Sequence, residues 1–193
     1  MRERTFFAQL CLVQVATPKS IYCIDVLSSK LLKDFWHTLS NASCVIHSAR
    51  QDLEIIYQTG KILPAQIFDT QIASGLVGFS PQISYASLVE KLCGKILKKN
   101  QTRANWSKRP FSKEMIEYAG EDVEFLLDLH ESLSKMLEKS GRLIWAQEDS
   151  DNLLNKDLYN NEPKDAINRI KGAQYLSGKT KKAVHLLAEW REK

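Results

Sequence analysis

The sequence has no apolar run long enough to span a bilayer and no secretory pattern at its start, so neither a membrane span nor an exported chain is expected. It has no Cys-x-x-Cys pair. Cys11, Cys23, Cys44 and Cys93 stand far apart, and the first three lie in apolar runs, which argues against a zinc site and points to buried free thiols in a reducing cytoplasm. His37, His130 and His185 show no metal spacing with one another. Charge imbalance is also small. A net charge of +4 does not by its sum imply a nucleic-acid partner, so the distribution of charge matters more. Repeats and low-complexity tracts are absent. With 193 residues and 44% hydrophobic content, the chain can bury one substantial core and part of a second unit.

The sequence reads as an α/β layer architecture. Leu10 to Val15 and Ile21 to Val26 are strand-like and flank the turn-prone Thr17-Pro18-Lys19-Ser20, which predicts a hairpin. Leu31 to Leu39 has helical spacing, and Cys44 to His47 forms a short apolar strand. Ser48 followed by Gln51 is a capping-box signature for a helix running to about Gly60. A further strand is expected near Ile67-Phe68, and helices and loops from there to Leu137.

Chemistry enters where residues break their local pattern. Ser112 to Leu133 reads as one helix, capped by Ser112, with Met115, Phe125, Leu126, Leu129, Leu133 and Met136 on a single apolar stripe. Tyr118 and Asp122 fall on that stripe, one turn apart. A carboxylate there is costly unless it is paired, hydrogen-bonded or metal-bound. Asp52, early in the helix after Cys44 to His47 and next to the stripe of Leu53, Ile56 and Tyr57, is a second awkwardly placed carboxylate. Both also have ordinary readings, Asp122 as a satisfied structural group and Asp52 as a complement to the helix dipole. From Gly94 to Lys113 the chain carries Lys95, Lys98, Lys99, Arg103, Lys108, Arg109 and Lys113 with no acid, interleaved with Gln101, Asn105, Trp106 and Phe111. Cations neutralise phosphates and aromatic faces stack on unpaired bases, so this is a candidate single-strand surface; the ordinary alternative is a solvated face.

Four segments in order, His47-Ser48-Ala49-Arg50-Gln51-Asp52-Leu53-Glu54, Phe68-Asp69-Thr70-Gln71, Gln101-Thr102-Arg103-Ala104-Asn105-Trp106 and Tyr118-Ala119-Gly120-Glu121-Asp122, closely resemble the ribonuclease D family. These are DEDD-superfamily exoribonucleases with Tyr in the third motif. The resemblance implies a ribonuclease H-like (DnaQ-like exonuclease) mixed sheet flanked by helices over residues 1–140, a linker over 141–162, and the start of a helical HRDC-type domain over 163–193. It further implies two divalent ions, Mg2+ or Mn2+, about 4 Å apart and held by four carboxylates. Asp52 and Asp122 would be metal ligands and Tyr118 would orient the attacking water. His47, Gln101, Arg103 and Trp106 are candidates for substrate contact. The implied reaction trims RNA 3′ ends, transfer-RNA precursors among them, and releases nucleoside 5′-monophosphates.

The expected protein is cytoplasmic and monomeric, with RNA as partner and no membrane. Asp69 is expected to pin a strand-to-helix junction, and Trp190 to be core of the helical unit. The family's first motif, an Asp-x-Glu, comes immediately before the equivalent of Arg2 to Thr5, and Glu3 does not replace it. The expectation is therefore an N-terminally truncated chain lacking a central strand, between the hairpin and the strand at Cys44, with heavily impaired chemistry. Two other readings stay open: an inactive RNA-binding paralogue, and a DNA-directed exonuclease of the same superfamily.

Overall fold

The computed structural model describes residues 9–27, 32–97, 104–159, 166–168 and 170–192. They fall into two compact units, Met1–Asn155 and Lys156–Lys193. In the first, β1 (Leu12–Ala16) and β2 (Ile21–Asp25) form the expected hairpin, with Leu12 opposite Asp25 and Ala16 opposite Ile21. Thr17 closes the turn: its N–H donates to Ser20 O at 2.9 Å and its hydroxyl accepts from Ser20 N at 3.1 Å. After α1 (Leu32–Ser40), β3 (Ser43–Ile46), α2 (Arg50–Gly60) and β4 (Gln66–Asp69) make a βαβ unit, its strands parallel with Ser43 beside Gln66 and Ile46 beside Asp69. Among the described residues the two pairs are separate two-stranded sheets rather than one mixed sheet.

Helices α3 (Thr70–Leu76), α4 (Tyr85–Cys93), α5 (Lys113–Glu124), α6 (Leu126–Lys139) and α7 (Leu143–Asp151) complete this unit. The core joins Phe68 of β4, Ala73 of α3, Leu88 and Val89 of α4, Leu129, Leu133 and Leu137 of α6 and Ala146 of α7. The three α6 leucines are fully buried at four-residue spacing, each contributing about 1.5–3 kcal/mol by burial. Met136, expected on the same stripe, is 37% exposed; it sits one residue off the 129–133–137 row, which turns it out of the core.

Two expectations change. The predicted single helix from Ser112 is two helices, broken at Phe125. Residues 141–162, expected as a linker, include α7, which packs on β4. There Gln147 Nε2 donates to Ile67 O at 3.0 Å and Asp69 N donates to Ser150 Oγ at 3.0 Å, so two side chains stand where a neighbouring strand's backbone would be.

The second unit contains short turns at Lys156–Leu158 and Ala173–Tyr175 and the helix α8 (Gly178–Glu192). On α8, Leu186, Leu187 and Trp190 are exposed. Trp190, at 76% exposure, is therefore not core in this chain, because no described residue covers that face. No helix of the described residues is long and apolar enough to cross a membrane.

Candidate active site

The site begins at a buried carboxylate. Asp69, 2% exposed, accepts from Ser48 N (3.1 Å), Gln71 N (2.8 Å) and Ile72 N (3.3 Å) through Oδ1, and from Ala49 N (2.7 Å) through Oδ2. It therefore caps α3 while clamping the turn that leads from β3 into α2. Ser48 is held at φ 60°, a conformation unusual for a residue with a side chain. The capping box expected from Ser48 and Gln51 does not form. Ala49 occupies the cap position without a side-chain bond, and Asp69 from the next strand organises the turn instead.

That clamp aims α2, whose first turn carries Asp52. The Asp52 side chain reaches solvent, yet enough protein surrounds the carboxyl for desolvation to dominate, and with repulsion from Asp69 its pKa is pushed up to about 6. His47, at the end of β3, spends both ring nitrogens inside the fold. Nε2 faces Ile83 O at 3.0 Å and must donate, so in the neutral ring Nδ1 accepts from Thr70 Oγ1 at 2.9 Å. Burial lowers its pKa, against the carbonyl bond and Asp69, which favours that neutral form. The ring meets Tyr85 edge-on, with centroids 5.8 Å apart.

Tyr85 explains the break between α5 and α6. Its hydroxyl donates to Glu121 O at 3.1 Å and accepts from Phe125 N at 3.0 Å, occupying the rung that those two backbone groups would otherwise form directly. Asp122 lies inside that rung. It is half-buried and makes no ion pair among the described residues; desolvation, with repulsion from Glu121, pushes its pKa up to about 6. Tyr118, one turn earlier, is half-buried, and its pKa is raised by burial and by Asp122 and Glu121. Trp106 lies 6.2 Å from the Tyr118 ring at 35° and 6.0 Å from Phe111, so the three aromatic rings form one cluster one turn before Asp122.

The basic stretch divides. Gln101 and Arg103 lie outside the described residues, as do Lys98 and Lys99. Arg109 is withdrawn from any ligand surface. Its guanidinium forms a bidentate pair with Asp25 at the end of β2 (Nε to Oδ2, 2.7 Å), donates to Cys11 O at 2.9 Å and Trp106 O at 2.8 Å, and lies 3.9 Å over the Phe111 ring. It fastens the loop before α5 to the hairpin, because a planar fork beside a carboxylate is worth more than the same charge in water. Lys95 and Lys108 remain exposed.

Sequence reasoning missed Tyr85 and the Asp25–Arg109 pair. Nothing near Tyr85 in the sequence announces its contacts 36 to 40 residues away.

Both candidate ligands, Asp52 and Asp122, are hard oxygen donors that burial makes reluctant to ionise and that no cation of the described residues neutralises, which fits a divalent ion in kind. They fall short in number. Neither carboxyl has the other among the causes of its shift, and no group of three or more His, Cys, Asp or Glu side chains forms a metal-holding cluster among the described residues.

The βαβ unit, the separate hairpin and the helices that follow make an α/β protein, and its likeness to known nucleases makes the fold ribonuclease H-like. The chain belongs to the 3′-5′ exonuclease family, whose sequence signature covers residues 1–138. It is 38% identical over 196 residues to the ribonuclease D of Bartonella henselae, spanning 100% of this chain and 48% of that protein. It is also 38% identical over 199 residues to the ribonuclease D of a Jannaschia species, spanning 100% and 51%. The crystal structure of Escherichia coli RNase D, described as an exoribonuclease involved in structured RNA processing, superposes with a TM-score of 0.88 at 29% identity, over 95% of this chain and 50% of that one. The chain thus spans about half the length of the curated relatives it matches.

Proposed function

We propose that this chain is the nuclease portion of a ribonuclease D-type enzyme, a divalent-metal 3′-5′ exoribonuclease that trims RNA 3′ ends, including those of transfer-RNA precursors. The observation that carries the reading is the α5 turn, where Tyr118 and Asp122 lie one turn apart beside the Trp106 ring.

In this reading Asp52 and Asp122 would hold Mg2+ or Mn2+. The bound ions supply a hydroxide nucleophile and charge neutralisation at the scissile phosphate. Tyr118, whose phenol keeps its proton at neutral pH, orients the attacking water by hydrogen bonding. Trp106 offers its face to the terminal base, and Lys95 and Lys108 lie on the backbone path, joined by Gln101 and Arg103. His47 contributes as a fixed group under the site, since its nitrogens are occupied. The product is a nucleoside 5′-monophosphate.

Residues 163–193 are read as the start of a helical HRDC-type domain, a reading supported by the uncovered apolar face of α8. Four free cysteines are in keeping with a cytoplasmic protein, and a monomer is the assembly proposed.

The test is release of mononucleotides from a 3′-labelled RNA with an unstructured tail, in Mn2+, by the natural polypeptide and its Asp122→Asn form, with single-stranded DNA in parallel. Release from RNA that Asp122→Asn abolishes supports the proposal. RNA binding without cleavage in both forms replaces it with an RNA-holding protein, and preference for DNA replaces it with a DNA-directed exonuclease.

A further inference from the structure

In an uninterrupted helix the Phe125 N–H would donate to Glu121 O. Here the Tyr85 hydroxyl stands between them as donor to one and acceptor from the other, so both backbone groups stay satisfied while the helix axis breaks. Phe125 takes φ −101° and ψ 7°, between the helical and extended regions, and Leu129 N donates to Phe125 O at 2.9 Å to restart the helix as α6.

The wedge is fixed from behind. Tyr85 occupies the first turn of α4, capped by Ser84, and its ring abuts His47, which is itself tied to Ile83 O and Thr70 Oγ1. His47 directly precedes the turn, clamped by Asp69, from which α2 and Asp52 depart. One phenol therefore references the Asp122 turn to the strand end that positions Asp52.

We propose that Tyr85 is a positioning residue of the nuclease site: by holding the α5–α6 rung open it sets where Asp122 and Tyr118 point relative to Asp52. The positioning role rests on the metal-dependent nuclease reading above, whereas the wedge itself does not. Burial raises the pKa of the hydroxyl far above its ordinary value, so it remains a donor throughout the range in which the protein is handled.

The test is Tyr85→Phe in the natural polypeptide, which keeps the ring and removes only the oxygen. Its crystal structure is expected to show the Phe125 N to Glu121 O rung closed and the Asp122 carboxyl displaced. Calorimetric titration with Mn2+ alone is expected to give an affinity reduced about tenfold, the lower end of what loss of an orienting partner costs a ligand. With RNA, kcat should fall by about the same factor and KM should stay within about twofold, a split that general destabilisation would not produce. In an Asp122→Asn background, Tyr85→Phe should lower Mn2+ affinity no further.

A break at Phe125 that persists without the hydroxyl overturns the proposal whatever the metal data show. A closed rung with unchanged Mn2+ affinity and kcat overturns the positioning role. If the rung closes but the unsubstituted protein binds no Mn2+, the wedge stands and the metal reading of the site fails.

Discussion

Replacing Asp122 by Asn should make the protein more stable while removing its proposed activity. The Asp122 carboxyl is half-buried, makes no ion pair among the described residues, and has its pKa pushed from 3.8 up to about 6. A shift of about 2 units corresponds to ~3 kcal/mol at 1.36 kcal/mol per unit. Residual solvent contact reduces this to about 1.5–2 kcal/mol of penalty for carrying the charge in the folded state. Because the folded pKa lies above the unfolded one, the native protein holds the extra proton between about pH 4 and pH 6, and stability falls as pH rises through that window. Asparagine keeps the shape without the charge. At pH 7.5 in chelator, Asp122→Asn should therefore melt about 3–8 °C higher than the parent, at 2–4 °C per kcal/mol for a chain of this size. The difference should close near pH 4, where both side chains are neutral, and Mn2+ should raise the parent's Tm more than the variant's. Calorimetric melting across pH checks this. A variant less stable than the parent at pH 7.5, or a difference equal at pH 4 and 7.5, would refute the view of Asp122 as a carboxylate kept at a cost.

Two other substitutions separate structure from binding. Asp69→Asn removes the charge from four bonds and, with its oxygen kept towards Ser48, Gln71 and Ile72, sets an N–H2 against the Ala49 N–H; with charge-assisted bonds worth about 1.5–3 kcal/mol each it should lower stability by at least ~3 kcal/mol, measured in chelator; an unchanged Tm would remove Asp69 from its role as clamp. Arg109→Lys loses the fork to Asp25 and the stack on Phe111 and should lower Tm without altering the salt dependence of RNA binding, whereas Lys108→Gln should leave Tm alone and reduce the salt slope by about 1. Nitrocellulose binding at several salt concentrations, beside melting curves, decides between them.

What the sequence made legible was periodicity and misfit. The hairpin, β3 and β4 follow from apolar patterning and turn residues, α2 was expected from a capping box that does not form, and Tyr118 and Asp122 stood out because a phenol and an acid interrupt an apolar stripe, with Asp52 beside a second one. Asp69 was read correctly as a junction residue because its Phe-Asp-Thr-Gln setting places it between a strand and a helix. What stayed hidden depends on long-range partners. The Ser48 capping box was locally sound but lost to Asp69, whose four bonds from the neighbouring strand outweigh one hydroxyl. The helix from Ser112 looked continuous because its stripe continues past the break, and the break comes from Tyr85, 40 residues earlier. Arg109 counted as a surface cation until Asp25, 84 residues away in the chain, claimed it.

The outer edge of β4 has a history as well as a geometry. The groups that cover it, Gln147 and Ser150, lie 80 and 81 residues beyond their partners Ile67 and Asp69. At a synthesis rate of about 5–20 residues per second, they are made roughly 4–16 s after the strand they protect. During that interval the nascent chain presents open backbone donors and acceptors along β4, the feature by which one polypeptide recruits another. The helix that finishes the sheet therefore also ends the period in which a partly made chain is most exposed to pairing with its neighbours on the same message.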